Sequence, residues 1–186
     1  MTNDRTPLLE ETEEILAARA RWQFTGKTRP AFAETPGVNQ ESVWDYPRPP
    51  VIEAVNKRME VRYNNQVIAA TTRGKRVLET AGAPAYYFPP KDISREFDET
   101  LDIVSTCEWK GLAQTITIDG AEVGWRYVQM FPAFKELYLW MSFYPSKVDC
   151  YLDSQLAQAQ PGGYYGGWVT HDLVGPIKGN PGSQGW

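Results

Sequence analysis

Asp119-Gly120 stands between two segments in which apolar and polar side chains alternate, and this limits the fold more than any other feature of the chain. Leu112, Gln114, Ile116 and Ile118 mark the first segment; Val123, Trp125, Tyr127 and Gln129 mark the second. A period of two is the pattern of a half-buried strand. Asp-Gly accepts the positive φ that a two-residue hairpin turn needs. Met59, Val61 and Tyr63 alternate with Glu60 and Arg62 in the same way, and Asn64-Asn65 offers a turn into residues 66–70. Ala85-Tyr86-Tyr87-Phe88 reads as a strand stopped by Pro89-Pro90, after a break at Ala81-Gly82-Ala83-Pro84. Residues 72–79 suit a short helix or a strand, and residues 101–104 lead toward Thr106 as a strand. Residues 138–144 and 148–152 are expected to form a last hairpin across Pro145-Ser146-Lys147. No helices are spaced between these strands, which favours this arrangement over an α/β design. The expected fold is mainly β, a small antiparallel barrel or folded sheet that begins near Val51, with no repeat at a fixed period.

The two ends differ from this body. Thr6-Pro7 is expected to open a helix, since threonine caps well and proline is tolerated at the first helical position. Leu8, Leu9, Thr12, Ile15, Leu16 and Arg19 follow at helical spacing, with Glu10, Glu11, Glu13 and Glu14 early and Arg19 and Arg21 late. That helix is expected to pack on its own domain or on a second copy. Residues 23–50 are punctuated by Gly26, Pro30, Pro36, Gly37, Pro47, Pro49 and Pro50 and read as an irregular tether. Its last part, Trp44-Asp45-Tyr46-Pro47-Arg48-Pro49-Pro50, is expected to lie on a surface groove. Past Gln158, Gly162-Gly163-Tyr164-Tyr165-Gly166-Gly167-Trp168 and Gly179-Asn180-Pro181-Gly182-Ser183-Gln184-Gly185-Trp186 combine glycine with rings. A flexible linker would carry few rings, so an irregular tail laid on the domain or on a neighbouring subunit is expected. The chain thus divides into an N-terminal helix and linker (1–43), a core (44–155) and a C-terminal extension (156–186).

Composition excludes several functions. The net charge of -4 argues against nucleic-acid binding and gives no attraction to an anionic membrane. Met1-Thr2-Asn3-Asp4-Arg5 lacks the apolar region of a signal peptide, and no apolar run reaches the roughly 20 residues of a membrane span. A cytoplasmic protein is expected, with Cys107 and Cys150 as free thiols. Two cysteines and one histidine, His171, cannot make a structural zinc site, so no metal and no cofactor are expected. Gly-x-Ser-x-Gly, Gly-x-Gly-x-x-Gly and the P-loop are missing, and His171 is read as a surface or tail-packing imidazole. With 7 Trp and 10 Tyr, buried N–H and O–H groups need partners, which predicts a polar-lined pocket or an interface.

The chemistry-bearing stretch is Thr106-Cys107-Glu108-Trp109-Lys110-Gly111. Lys110 near Cys107 favours a thiolate and Glu108 opposes it; no histidine is placed to act as a base. Cys107 and Lys110 are the candidates for catalysis, beside the reading of Cys107 as a packing thiol. Cys150, in an apolar strand, is expected to pack. Lys110 beside Trp109, and Arg48 beside Trp44 and Tyr46, can hold a carboxylate or phosphate or stack on a ring; the alternative is a pair of surface cations with their stems on rings. Glu79 is a surface charge or a pocket acid. Arg73-Gly74-Lys75-Arg76 reads as a solvated turn or an anion-neutralising cluster.

Five of these motifs, in order over residues 44–153, resemble the domain of unknown function 427 family. They are Trp44-Asp45-Tyr46-Pro47-Arg48-Pro49-Pro50, Arg76-Val77-Leu78-Glu79-Thr80, Pro84-Ala85-Tyr86-Tyr87-Phe88-Pro89, Thr106-Cys107-Glu108-Trp109-Lys110-Gly111 and Phe143-Tyr144-Pro145-Ser146-Lys147-Val148-Asp149. The resemblance implies a β-tent, antiparallel strands folded into two sheets that meet along one edge. Zinc-bearing relatives of that fold use two Cys-x-x-Cys knuckles, which this chain lacks, so a metal-free member is implied. Where the family has a proline followed by tyrosine or phenylalanine, this chain has Glu108-Trp109. The extensions at both ends resemble those of cyanobacterial members. A nucleotidyltransferase label is sometimes attached to the family, but no Gly-Ser with a following pair of aspartates occurs here.

Two functional readings follow, and no reaction is singled out. In the first, the body gathers a small aromatic or anionic ligand: Trp44, Tyr46 and Arg48 roof a concave sheet, and Tyr86, Tyr87, Cys107, Lys110 and Trp125 line it, with Glu79, Trp109 and Tyr144 nearby. In the second, the extensions mediate a homodimer, with Trp168 and Trp186 crossing between subunits. Thiol redox work at Cys107 is a third.

Overall fold

The computed structural model describes residues 6–186, without the side chains of residues 99–104. The body is built from β1 (Val51–Ala54), β2 (Met59–Tyr63), β3 (Gln66–Thr71), β4 (Lys75–Leu78), β5 (Ala85–Tyr87), β6 (Asp98–Cys107), β7 (Gly111–Ile118), β8 (Ala121–Met130), β9 (Met141–Phe143), β10 (Asp149–Leu152) and β11 (Gln155–Leu156). These strands pair antiparallel throughout, in the orders β9-β8-β7-β6, β11-β10-β2-β3 and β1-β4-β5. The fold is mainly β, in several antiparallel sheets, and among the described residues no barrel closes. Residues 72–79 resolve as β4.

Both expected hairpins form. Asn64 and Asn65 have φ of 49° and 63°, and Asp119 and Gly120 have φ of 51° and 77°. Two successive left-handed residues give the turn whose twist matches a strand pair. The third expected hairpin does not form. β9 pairs with β8, whereas β10 pairs with β2, so the two strands belong to different sheets. Between them the Lys147 and Val148 amides both donate to the Tyr144 carbonyl. That tight turn makes a corner between sheets rather than a return along one.

The β9-β8-β7-β6 sheet serves two cores. Ile116, Ile118 and Val123 pack with Met59, Val61, Ile68 and Cys150 of the β2 and β10 sheet. Ala113, Tyr127 and Met130, toward the other end of the same strands, pack with Val77 and Tyr87 of the β4 and β5 sheet. Between Leu112 and Ala113 the pairing of β7 with β8 slips by one residue of β8, and Ala113 is buried where strict alternation from Leu112 placed an outward residue. Cys150 is a packing thiol, as expected, and burial pushes it well above the ordinary thiol range.

The extensions dock on this chain's own body. Thr6-Pro7 does not start the helix. The Met130 amide donates to the Pro7 carbonyl and the Leu9 amide to the Met130 carbonyl, which holds residues 7–9 extended along β8. The helix α1 (Glu13–Ala20) starts instead behind Thr12, whose hydroxyl accepts from the Ile15 amide at 3.3 Å. It buries none of its residues and leaves Leu16 exposed. Arg19 is its anchor, with Nε donating to the Glu108 carbonyl at 2.7 Å and the guanidinium over the Trp109 and Phe131 rings. Trp44 lies in a core rather than on a surface groove. It is fully buried among Phe24, Phe32 and Trp186, and its indole N–H donates to the Pro176 carbonyl at 3.0 Å. Trp168, also fully buried, donates to the Phe143 carbonyl at 3.0 Å and packs on Tyr86 and Phe88. His171 is exposed, with Nδ1 2.7 Å from the Gln155 side-chain oxygen.

Candidate functional site

Residues 106–111 turn from β6 into β7 and split their side chains between two surroundings. Gly111 makes the turn possible: its φ is 133°, and a Cβ there would lie 2.1 Å from the Gln129 carbonyl oxygen. Glu108 and Trp109 hold the N-terminal segment, since the Glu108 carboxylate accepts from the Trp22 indole N–H at 2.7 Å and Trp109 lies under Arg19. Thr106, Cys107 and Lys110, together with Glu108, line a cavity of about 810 Å³.

The cavity lies between the turn, β5, β8 and the glycine-rich tail. Tyr87, Trp125 and Tyr127 form one wall, with Tyr87 6.2 Å from Trp125 and 6.5 Å from Tyr127 between ring centroids. Tyr144 packs on Trp125 at 4.7 Å and extends that wall. Residues 163–167 lie across them and bring Tyr164 and Tyr165. Gly166 sits so close to Trp125 that a Cβ would come within 2.2 Å of its ring. Close approach of backbone to indole therefore requires glycine there.

The charges inside are unevenly paired. Lys110 Nζ is 3.6 Å from one Glu79 oxygen, and Arg48 Nε is 3.2 Å from the other. Burial works against the Lys110 charge, yet Cys107, Glu79 and Tyr87 outweigh it and hold its pKa above the usual lysine range. Arg48 stacks on Trp22 at 4.3 Å and donates to the carbonyls of Phe24, Thr80 and Trp186. Lys178 covers Trp22 at 3.8 Å and donates to the Trp186 carbonyl at 3.0 Å. Burial, with Arg48 close by, lowers Lys178 to about 8. Arg48 and Lys178 thus hold the end of the tail against the body, while Lys110 is the cation of the cavity floor.

Of the residues singled out from sequence, Arg48, Glu79, Tyr87, Cys107, Lys110, Trp125 and Tyr144 share the cavity wall. Trp44, Tyr46, Tyr86 and Trp109 lie elsewhere. Tyr86 and Tyr87 are neighbours on β5, and a strand sends neighbours to opposite faces; Tyr86 packs on Trp168. The Tyr46 hydroxyl donates to Glu41 at 2.7 Å beneath the tether. The Trp109 ring lies under Arg19, and Trp44 lies in its own ring cluster. The basic run after Thr72 is matched by acids: Arg73 pairs with Asp92, Lys75 with Glu136, and Arg76 with Glu41 and Glu53. The cavity also takes Trp22, Tyr165, Gln160 and Lys178, which sequence reasoning passed over. Lys178, a lone lysine amid glycines and rings, was the available signal.

A family described as a domain of unknown function (DUF427) matches residues 51–154. The chain belongs to the DUF427 family. The match spans β1 through β10, so the DUF427 region supplies Glu79, Tyr87, Cys107, Lys110, Trp125, Tyr127 and Tyr144, while Trp22, Arg48, Tyr165 and Lys178 lie outside it. Comparison with curated proteins finds no match. Among the described residues, no three His, Cys, Asp or Glu side chains are grouped so as to hold a metal ion, and no helix is long and apolar enough to cross a membrane.

Proposed function

We propose that this DUF427 protein binds a small, planar ligand, aromatic or anionic, in the cavity above the Cys107–Lys110 floor. One observation carries the reading. Tyr87, Trp125, Tyr127, Tyr144 and Tyr165 surround a single space of about 810 Å³ whose floor holds a cation, Lys110. Mostly apolar walls with a few polar groups are the usual makeup of small-molecule sites, which run to about 300–1,000 Å³. Aromatic faces accept a flat ring, and Lys110, kept protonated through the neutral range, attracts negative charge on it.

The test is a thermal-shift screen of aromatic carboxylates and phenols on the full chain, repeated with Lys110→Ala and Trp125→Ala. Ligands that raise the melting temperature of the parent protein should raise it less in both variants. Lys27→Ala, which does not line the cavity, should respond as the parent does. No stabilising ligand, or equal shifts in all four proteins, overturns the reading.

Trp168 is fully buried and Trp186 partly buried within this chain, so these two rings do not call for a second copy.

A further inference from the structure

Tyr87 carries a group that ring stacking leaves unexplained. The residue is fully buried on β5, and its hydroxyl has no hydrogen-bond partner of normal geometry among the described residues. Its surroundings are polar. Lys110, Trp125, Cys107 and Tyr127 lie close enough to influence its ionisation, and all four line the cavity with it. Native proteins pair nearly all buried hydroxyls, because an unpaired one loses its hydration with no return.

The cavity's carboxylates, Glu79, Glu108 and Glu122, are not hydrogen-bonded to the Tyr87 hydroxyl. The Tyr87 O–H and the Lys110 ammonium are donors at neutral pH. Burial raises Tyr87 to about 12, with Lys110 pulling the other way, so the phenol keeps its proton. Glu79, the nearest carboxylate, stands 3.6 Å from Lys110, beyond a normal hydrogen bond, and is shared with Arg48. Donors fixed in advance around one point are how folded proteins recognise an oxygen bearing negative charge.

We propose that Tyr87 Oη and Lys110 Nζ form a donor pair that takes the carbonyl or phenolate oxygen of an aromatic ligand whose ring lies against Trp125 and Tyr127. This rests on the cavity-binding reading above and adds the chemical class, a planar ring ending in an oxygen acceptor. The interaction is non-covalent.

Two probes separate the pair from the cavity: 4-nitrophenol, which offers a phenolate oxygen and a visible absorbance, and nitrobenzene, which keeps the ring and loses that oxygen. Binding is measured by calorimetry, and the ionisation of bound 4-nitrophenol by absorbance, for the full chain, Tyr87→Phe and Lys110→Met. The parent protein should bind 4-nitrophenol and shift it toward phenolate. Each substitution should weaken that binding by roughly tenfold to a hundredfold, the range for a hydrogen bond to a charged group. Bound ionisation should return toward that of the free probe, and nitrobenzene should change less than about twofold. If the parent binds both probes and the variants bind 4-nitrophenol as the parent does, or lose nitrobenzene equally, the donor pair is overturned and the cavity reading stands. If the parent binds neither probe, the cavity reading falls for this ligand class and the donor pair with it.

Discussion

Tyr87→Phe should stabilise the ligand-free protein, while Tyr46→Phe should destabilise it. Both tyrosines are buried, and both substitutions keep the ring and remove one oxygen. The difference lies in what that oxygen does. Tyr87 Oη has no hydrogen-bond partner of normal geometry among the described residues, and an unpaired buried hydroxyl costs about 1–3 kcal/mol, which the substitution recovers. Tyr46 Oη donates to the Glu41 carboxylate at 2.7 Å, a bond of the kind worth about 1.5–3 kcal/mol. Glu41 keeps Arg76 at 2.9 Å after the loss, so a cost toward the lower end, about 1–2 kcal/mol, is expected. In a chain of this size 1 kcal/mol moves the melting temperature by about 2–4 °C. Tyr87→Phe should therefore rise by roughly 2–12 °C and Tyr46→Phe fall by roughly 2–8 °C, read by calorimetric unfolding at neutral pH. A fall in Tyr87→Phe as large as that in Tyr46→Phe would mean that the Tyr87 hydroxyl is satisfied, and the argument for a donor kept ready for a ligand would fail.

Three further outcomes are expected. Gly166→Ala brings a Cβ to within 2.2 Å of the Trp125 ring and should cost about 1–3 kcal/mol by displacing residues 163–167, measured by denaturant unfolding. Stability should fall as pH rises through the alkaline range: Tyr86, Tyr87 and Tyr144 are all raised to about 12, chiefly by burial, from an ordinary 10.0. A folded-state pKa above the unfolded one gives stability that is complete below pH 10.0 and lost toward about 12, so a melting temperature that is flat across that window refutes the assignment. Arg19→Ala removes the bond to the Glu108 carbonyl and the stacking on Trp109 and Phe131; because α1 buries no residue, its amides should exchange faster while those of β7 and β8 do not change.

The hairpins were legible because their turns demand residues that accept positive φ, and Asn64, Asn65, Asp119 and Gly120 are such residues. The corner after β9 was not. Pro145-Ser146-Lys147 suits a hairpin loop and a sheet-to-sheet corner alike, and the choice is made by distant pairings, β9 with β8 and β10 with β2. The helix start misled for a similar reason: Thr6-Pro7 has the right local chemistry, but pairing with Met130 holds the backbone extended. At the site, Cys107 and Lys110 were visible as one short motif and Trp125 as an alternating position of its strand, whereas Tyr87 was placed in the lining together with Tyr86, which the structure turns to the other face. Trp44 was misplaced because a ring in a proline-rich segment reads the same on a groove or in a core. Trp22 and Lys178 were invisible because what brings them to the cavity is the docking of two irregular segments around one indole.

That docking bears on how the cavity works. Its floor and main wall come from the region matched by the family, whereas Trp22, Arg48, Tyr165 and Lys178 come from segments outside it. The two segments are tied to each other as well as to the body: Trp22 bonds to Glu108 and carries Arg48 and Lys178 over its ring, and both cations donate to the Trp186 carbonyl. The tail therefore cannot lift from the cavity without releasing two cations from an aromatic face and from their shared acceptor. Residues 163–167 face a different constraint, since Gly162 and Gly163 both have positive φ and Tyr164 is 73% exposed. This part of the covering is fastened at its ends, at Trp168 and around Lys178, and is least buried between them. On the reading proposed above, a ligand meets a floor common to the family region and a cover particular to this chain's extensions. Substitutions at Lys110 or Tyr87 should then change whether an oxygen-bearing ring is held, and substitutions at Tyr164 or Tyr165 which ring can enter.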